Sequence, residues 1–275
     1  MRGEASRLAD RESRDSFALQ LSKVGEDTWR IGNELFTITA LLDGNAALEH
    51  ALTEPSRSTE DKMALLSGIL GERVHPFTMT ILEDLVKRPW SRSADIADAV
   101  EDFGVDGMMY YADHTNSTAQ VSIELAELHS ALIDLPVVRA RLQDTRANSD
   151  ARVKLLHDIL DGSGFNKVTL RLAEHAACNL RKRRYLSTIQ WLIGKFSRHM
   201  GQSLITVTTA THLSDEQITK LVDVYSAKLG RPVHVNAVVD ASVIGGMRIQ
   251  VGEEVTDNTV IAQLRHLQDT VKVGV

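Results

Sequence analysis

Residues 238–251 read VVDASVIGGMRIQV and run on into GEEVTDNTVIAQLRHL at 252–267. Val239, Val243, Met247, Ile249 and Val251 alternate with small or polar residues, which is the period of a strand with one face turned to a core. Gly245 and Gly246 sit between the two apolar runs, where a tight backbone path is needed that a Cβ would obstruct. The stretch after Val251 has the pattern of a turn and then an amphipathic helix striped by Val260, Leu264, Leu267 and Val271. The pattern is architectural, and nothing in it looks catalytic.

Immediately upstream, Val233, Val235, Ala237 and Val239 alternate as another strand. Before it, Ser214 opens a helix as a capping-box residue with Gln217 three positions on. Ile218, Leu221, Val222, Tyr225 and Leu229 stripe that helix, and Gly230 with Pro232 stops it. Ile205 and Val207 alternate with threonines in LITVTTA (204–210), an earlier strand. The order is strand, helix, strand, strand, helix. The strand–helix–strand step suits a parallel crossover and the step through 240–246 a hairpin-like turn, so a small mixed sheet is expected.

From Ala5 to about Met200 the periodicity is helical, with Pro55, Pro76, Pro89 and Pro136 punctuating the helices. Two halves of this region look related at an offset of about 90 residues. ALLDGNAALEHAL from Ala40 matches ALIDLPVVRARL from Ala131, and EDKMALLSGIL from Glu60 matches DARVKLLHDIL from Asp150. Ile96, Val100 and Phe103 find counterparts in Ile189, Ile193 and Phe196. GVDGMMYYADHTNS (104–117) has the composition of a linker, which puts a boundary near residue 110. The expected fold is α+β and mostly α. A helical bundle over 1–106 and a repeat-related bundle over 107–201 precede an α+β domain over 202–275 with a mixed sheet and two helices.

Composition limits the chemistry. A chain of 275 residues with 43% hydrophobic content buries a large core, and a net charge of −6 argues against nonspecific nucleic-acid binding. The run Arg181, Lys182, Arg183, Arg184 is a local exception, read as a solvated helix end. Cys178 is the sole cysteine, flanked by Ala176 and Ala177 as in a packed helix interior, so neither an intrachain disulfide nor a thiolate metal cluster is available. No run of eighteen apolar residues exists, and the start lacks a secretory signal's apolar centre, so no direct membrane insertion is expected. No phosphate loop, HExxH or GxSxG motif occurs. Asp161 to Phe165 (DGSGF) follows no strand and reads as an interhelical loop. No catalytic, cofactor or metal site is therefore expected.

With these residues in view, LSDEQITKLVDVYSAKLGRPVHVNAVVDASVIGGMRIQVGEEVTDNTVIAQLRHL (213–267) resembles the C-terminal signature of ATP synthase delta subunits. Their mitochondrial counterpart is the oligomycin-sensitivity-conferring protein. The resemblance rests on Ser214, the Leu-Gly-Arg-Pro stop, the run Asp240, Ser242, Val243, Gly245 and Gly246, and Asp257 before the last helix. It implies a non-catalytic stator subunit on the cytoplasmic face of the bacterial membrane, one copy per complex. Such a subunit binds the N-termini of alpha subunits through its N-terminal bundle and subunit b through its C-terminal domain. The alpha helix would enter a groove between the first helix, with Phe17 and Leu21, and the fifth, about Thr78 to Val86 with Ile81 and Leu82. Trp29 lies nearby. The same apolar residues read equally as bundle core. A second bundle departs from the common one-bundle pattern and resembles the enlarged form of some bacteria. The other reading of the whole chain is a helical RNA-binding module of the antitermination-factor type.

Overall fold

The computed structural model describes residues 3–181, 183–201, 203–229, 233–240, 243–251, 254–260 and 262. Packing divides the chain into two units, Met1–Ser117 and Thr118–Val275.

The first unit is helical: α1 (Glu4–Val24), α2 (Thr28–Asp43), α3 (Ala46–Thr53), α4 (Thr59–Leu70), α5 (Pro76–Lys87) and α6 (Asp95–His114). Local chemistry starts these helices. Asn45 accepts from the Leu48 amide, Ser58 from the Asp61 amide, and His75 Nδ1 from the Phe77 amide just ahead of Pro76 at N1. Leu21, Ile31, Leu35, Ile81, Leu85 and Phe103 are buried in one core, each contributing about 1.5–3 kcal/mol by removal of apolar surface from water.

α2 and α6 share the closest packing, and glycines permit it. A Cβ on Gly107 would lie 2.9 Å from the Gly32 Cα and 3.1 Å from the Thr28 carbonyl oxygen. One on Gly104 would lie 2.7 Å from the Phe36 ring. The segment 104–117, expected as a linker, is thus mostly the second half of α6, with Met108, Met109, Tyr111 and Ala112 buried. Glycine here serves close helix approach and does not break the helix. The boundary expected at 106–107 falls inside α6.

The second unit begins with α7 (Thr118–Ile133), α8 (Pro136–Leu142), α9 (Ser149–Leu160), α10 (Lys167–Cys178) and α11 (Tyr185–His199). It continues as β1 (Ser203–Thr209), α12 (Asp215–Leu229), β2 (Val233–Val239), β3 (Met247–Val251) and β4 (Glu254–Asp257). The sheet order is β2-β1-β3-β4. β1 pairs parallel with β2, Ile205 opposite Val235, and antiparallel with β3, Val207 opposite Ile249. Leu221, Tyr225 and Leu229 of α12 pack on Ile205, Val207, Val233 and Ile249.

The mixed sheet and parallel crossover agree with expectation; the hairpin between β2 and β3 does not. β3 pairs across β1 on the far side from β2, and the Asp240 amide donates to the Thr209 carbonyl as the chain passes the end of β1. The antiparallel partner of β3 is instead β4, formed by residues read from sequence as a turn. The closing helix expected beyond Val260 lies largely outside the described residues, as do Gly230 and Pro232.

Two smaller expectations also change. Cys178, the last residue of α10, is exposed and not in a helix interior. Arg181, Arg183 and Arg184 lie between α10 and α11 and not within a helix. Arg181 has a φ of 40°, and the Arg183 guanidinium sits 4.6 Å above the Trp191 ring. Lys182 is outside the described residues.

The internal repeat is visible in the element starts. α2 and α7 begin at Thr28 and Thr118, α3 and α8 at Ala46 and Pro136, α4 and α9 at Thr59 and Ser149, and α5 and α10 at Pro76 and Lys167: offsets of 90 or 91. α1, α6 and α11 continue the same spacing, starting at Glu4, Asp95 and Tyr185. By this register α6 ends the first set of helices and opens the second.

Candidate partner-binding surfaces

The expected groove between α1 and α5 is filled. Phe17 stands edge-on to Phe77 and Phe103, with ring centroids 5.7 Å and 6.0 Å away. Phe17, Leu21, Ile81 and Leu82 are 7%, 1%, 0% and 3% exposed. These four belong to the core, so in this conformation they present no apolar surface to a partner.

Polar side chains fasten the rest of α1. Ser6 Oγ donates to Asp95 at 2.7 Å and accepts from the Ser91 amide at 2.8 Å, and Ser13 Oγ donates to Asp84 at 2.6 Å. Arg14 makes a two-pronged contact with Asp106, Nη2 to Oδ1 at 2.6 Å. Burial opposes the Arg14 charge, but the Asp106 carboxylate and the hydrogen bonds to it outweigh that penalty and raise the guanidinium's pKa.

Trp29 has a different setting. It is half-buried beside Tyr111, ring centroids 5.3 Å apart, and forms one wall of an open groove of about 740 Å³ between α2 and the end of α4. Ile38 and Leu70 form the floor, and Leu41, Ile69 and Val74 complete the walls. Arg30, Glu34 and Arg73 stand at its rim. Sequence reasoning placed Trp29 beside a groove but missed this one, because the wall residues are far apart in the chain and only the fold gathers them.

The C-terminal signature residues have structural partners. The Ser214 amide donates to Gln217 Oε1 at 2.8 Å and the Gln217 amide to Ser214 Oγ at 3.3 Å, the reciprocal box read from sequence. Asp240 takes the Val243 amide on its carbonyl, and Val243 is buried. Gly246 has a φ of 79°, and a Cβ there would lie 2.4 Å from the Asn258 carbonyl oxygen. The Gly245 carbonyl accepts from the Val260 amide. Asp257 accepts from the Thr259 amide at 3.0 Å and hydroxyl at 2.7 Å. Ser242 lies outside the described residues. A cavity of about 180 Å³ opens where Asp134, just past the end of α7, lines one side with Thr206, Asp240 and Arg248 of the sheet region.

Among the described residues, no group of three or more His, Cys, Asp or Glu is placed to hold a metal ion. Among the same residues no helix is long and apolar enough to cross a membrane.

The family model described as ATP synthase delta (OSCP) subunit matches residues 107–271, starting inside α6 and leaving α1–α5 outside the match. Over the whole length the chain is similar to curated relatives. It is 68% identical over 272 residues to ATP synthase subunit delta of Bifidobacterium adolescentis, covering 99% of each chain. It is 60% identical over 275 residues to that of Bifidobacterium animalis subsp. lactis, covering 100% of this chain and 99% of the relative. It is 30% identical over 245 residues to that of Beutenbergia cavernae, covering 89% and 90%.

Proposed function

The chain belongs to the ATP synthase delta (OSCP) subunit family, and on that premise we propose that it joins the catalytic head of the enzyme to subunit b and holds the head against rotor torque. It is a structural subunit of the peripheral stalk. The observation that carries the reading is similarity along the full chain to delta subunits, 60% to 68% identical in two Bifidobacterium species. That similarity leaves the RNA-binding alternative without support.

Two helical sets and a small sheet offer packed surfaces, and helix-in-groove recognition is the mode such surfaces serve. In this reading one copy per complex sits at the cytoplasmic face of the membrane, with helical surfaces toward the alpha N-termini and the sheet region toward subunit b. Resisting torque requires durable contacts, and a nanomolar complex needs about 12 kcal/mol of net association energy. Several interfaces together supply it.

The test is functional coupling. Inverted membrane vesicles are stripped of the head and this chain, then rebuilt with the head alone or with both. ATP-driven proton uptake is expected only with both, while ATP hydrolysis by the head persists in either case. Full proton uptake without the chain overturns the reading.

A further inference from the structure

We infer that the cavity between the end of α7 and the sheet binds a small zwitterion, an α-amino acid with a short aliphatic side chain. Its carboxylate is held by Arg248 and the threonine hydroxyls, and its ammonium group by Asp134. Binding is a property of this chain alone and does not rest on the adaptor role.

Alternation along the strands sorts side chains to two faces of the sheet. Ile205, Val207 and Ile249 lie on the face packed by α12. Thr206, Thr208, Arg248 and Gln250 share the other face, with Thr206 opposite Gln250 and Thr208 opposite Arg248. That second face is covered by protein. Thr208 is 7% exposed, and Gln250 donates to Gln190 of α11 at 3.4 Å. Asn236 of β2, opposite Thr206, is also 7% exposed. A covered sheet face is ordinarily apolar, because a buried polar group without a partner costs free energy.

Here the polar groups lack partners. Among the described residues, the Thr206 and Thr208 hydroxyls and the Arg248 guanidinium make no hydrogen bond or ion pair, and Asn236 leaves its Nδ2 unsatisfied. Thr206, Thr208 and Arg248 all line the cavity, so their donors meet open space and not packed atoms.

Charge selects the occupant. Asp134 and Asp240 line the same space, yet Arg248 pairs with neither. A free anion gains the guanidinium but meets both carboxylates, and a bare cation meets the reverse. A molecule that carries both charges satisfies each pole. Ile133, Val238 and Val255 supply an apolar part of the lining. The volume of about 180 Å³ equals the liquid share of roughly six waters, which admits a molecule of alanine to valine size and not a nucleotide. Ser130 and Ile133 belong to α7, so an occupant links that helix to the sheet.

The test titrates the full chain by isothermal calorimetry with L-alanine and L-valine, and with acetate, ethylammonium and inorganic phosphate as probes of a single sign. One-to-one binding of at least one of the two amino acids is expected with a Kd below about 1 mM, and binding about tenfold weaker or less for every probe of a single sign. Arg248→Gln and Asp134→Asn should each weaken amino-acid binding about tenfold. Thr208→Val keeps the shape and removes the orphaned hydroxyl. This variant should melt no lower than the wild-type chain without ligand, yet bind the amino acid at least about threefold more weakly, and it decides the matter if the charge variants do not fold. Amide exchange in the last turn of α7 and in β1 should slow on binding. No amino-acid binding up to about 10 mM, which leaves a cavity for water only, overturns the inference. Phosphate binding as tight as the amino acid's, or an affinity unchanged by Thr208→Val, overturns it equally.

Discussion

Glu34 and Glu124 lie 90 residues apart in sequence and make the same three contacts. On each, Oε1 accepts from the side chain four residues earlier, Arg30 or Gln120, both at 2.7 Å. On each, Oε2 accepts from the amide of a helix N-cap residue, His75 or Asn166, and from the N3 threonine, Thr78 or Thr169. A carboxylate borrowed from another helix thus completes the caps of α5 and α10 and places negative charge at their positive ends. Glu124 is 7% exposed, so Glu124→Ala strands the buried Thr169 hydroxyl away from water, and a loss of about 2–4 kcal/mol is expected in urea unfolding of the full chain. Glu34→Ala, at a wetter site, should cost about 1–2 kcal/mol. Equal costs near zero for both would remove the capping role.

Gly107→Ala drives a methyl against backbone on α2, since the nearest atoms are the Gly32 Cα at 2.9 Å and N at 3.0 Å. Backbone cannot rotate aside, so the melting temperature should fall by the equivalent of about 1–3 kcal/mol. Gly68→Ala on α4 is the contrast: nothing lies within 4 Å of its Cβ, and about 0.5–1 kcal/mol of gain is expected from the lower entropy of the unfolded chain.

Arg14→Met should leave Asp106, whose side chain is 7% exposed, without its guanidinium. Breaking a largely buried pair from one side costs about 3 kcal/mol, and the double variant Arg14→Met with Asp106→Leu should recover much of it. Chemical denaturation of the four-member cycle measures the coupling. A double variant no more stable than Arg14→Met alone counts against a paired role.

His129 on α7 is expected to lend the protein an acid sensitivity. Burial lowers its pKa from the usual 6.5 in the folded state, so the unfolded chain binds more protons below that value. Its contribution is complete above pH 6.5 and is lost as pH falls toward the folded value. Urea midpoints should therefore drop between pH 7.5 and 5.5, and His129→Gln should flatten that slope. An unchanged slope refutes the assignment.

Much of this architecture was legible in residues. The helix period, the prolines at helix starts, the Ser214–Gln217 box and the repeat offset all appear in the fold because each is a local rule. Where expectation failed, distance in sequence was responsible. Gly104 and Gly107 read as linker residues until α2 is laid against them with Gly32 at the crossing. β3 looked like a hairpin partner of β2 because adjacency in sequence was the only guide, while the actual neighbour, β1, lies a whole helix earlier. Phe17 and Trp29 were assigned to one groove, yet two rings flank the first and a separate groove exposes the second. Amphipathic periodicity identifies an apolar face but not whether protein or partner covers it.

The partition into Met1–Ser117 and Thr118–Val275 cuts the chain only once. Each unit is therefore complete in an uninterrupted stretch, and this has a consequence on the ribosome. Synthesis of the part of the second stretch that precedes β1 takes roughly 4–17 s at bacterial and slower elongation speeds, ample time for the first to close around α6 before β1 is made. Strand β1 must then wait for partners that arrive later on both of its edges, so the sheet closes only after α12, β2 and β3 have followed it off the ribosome.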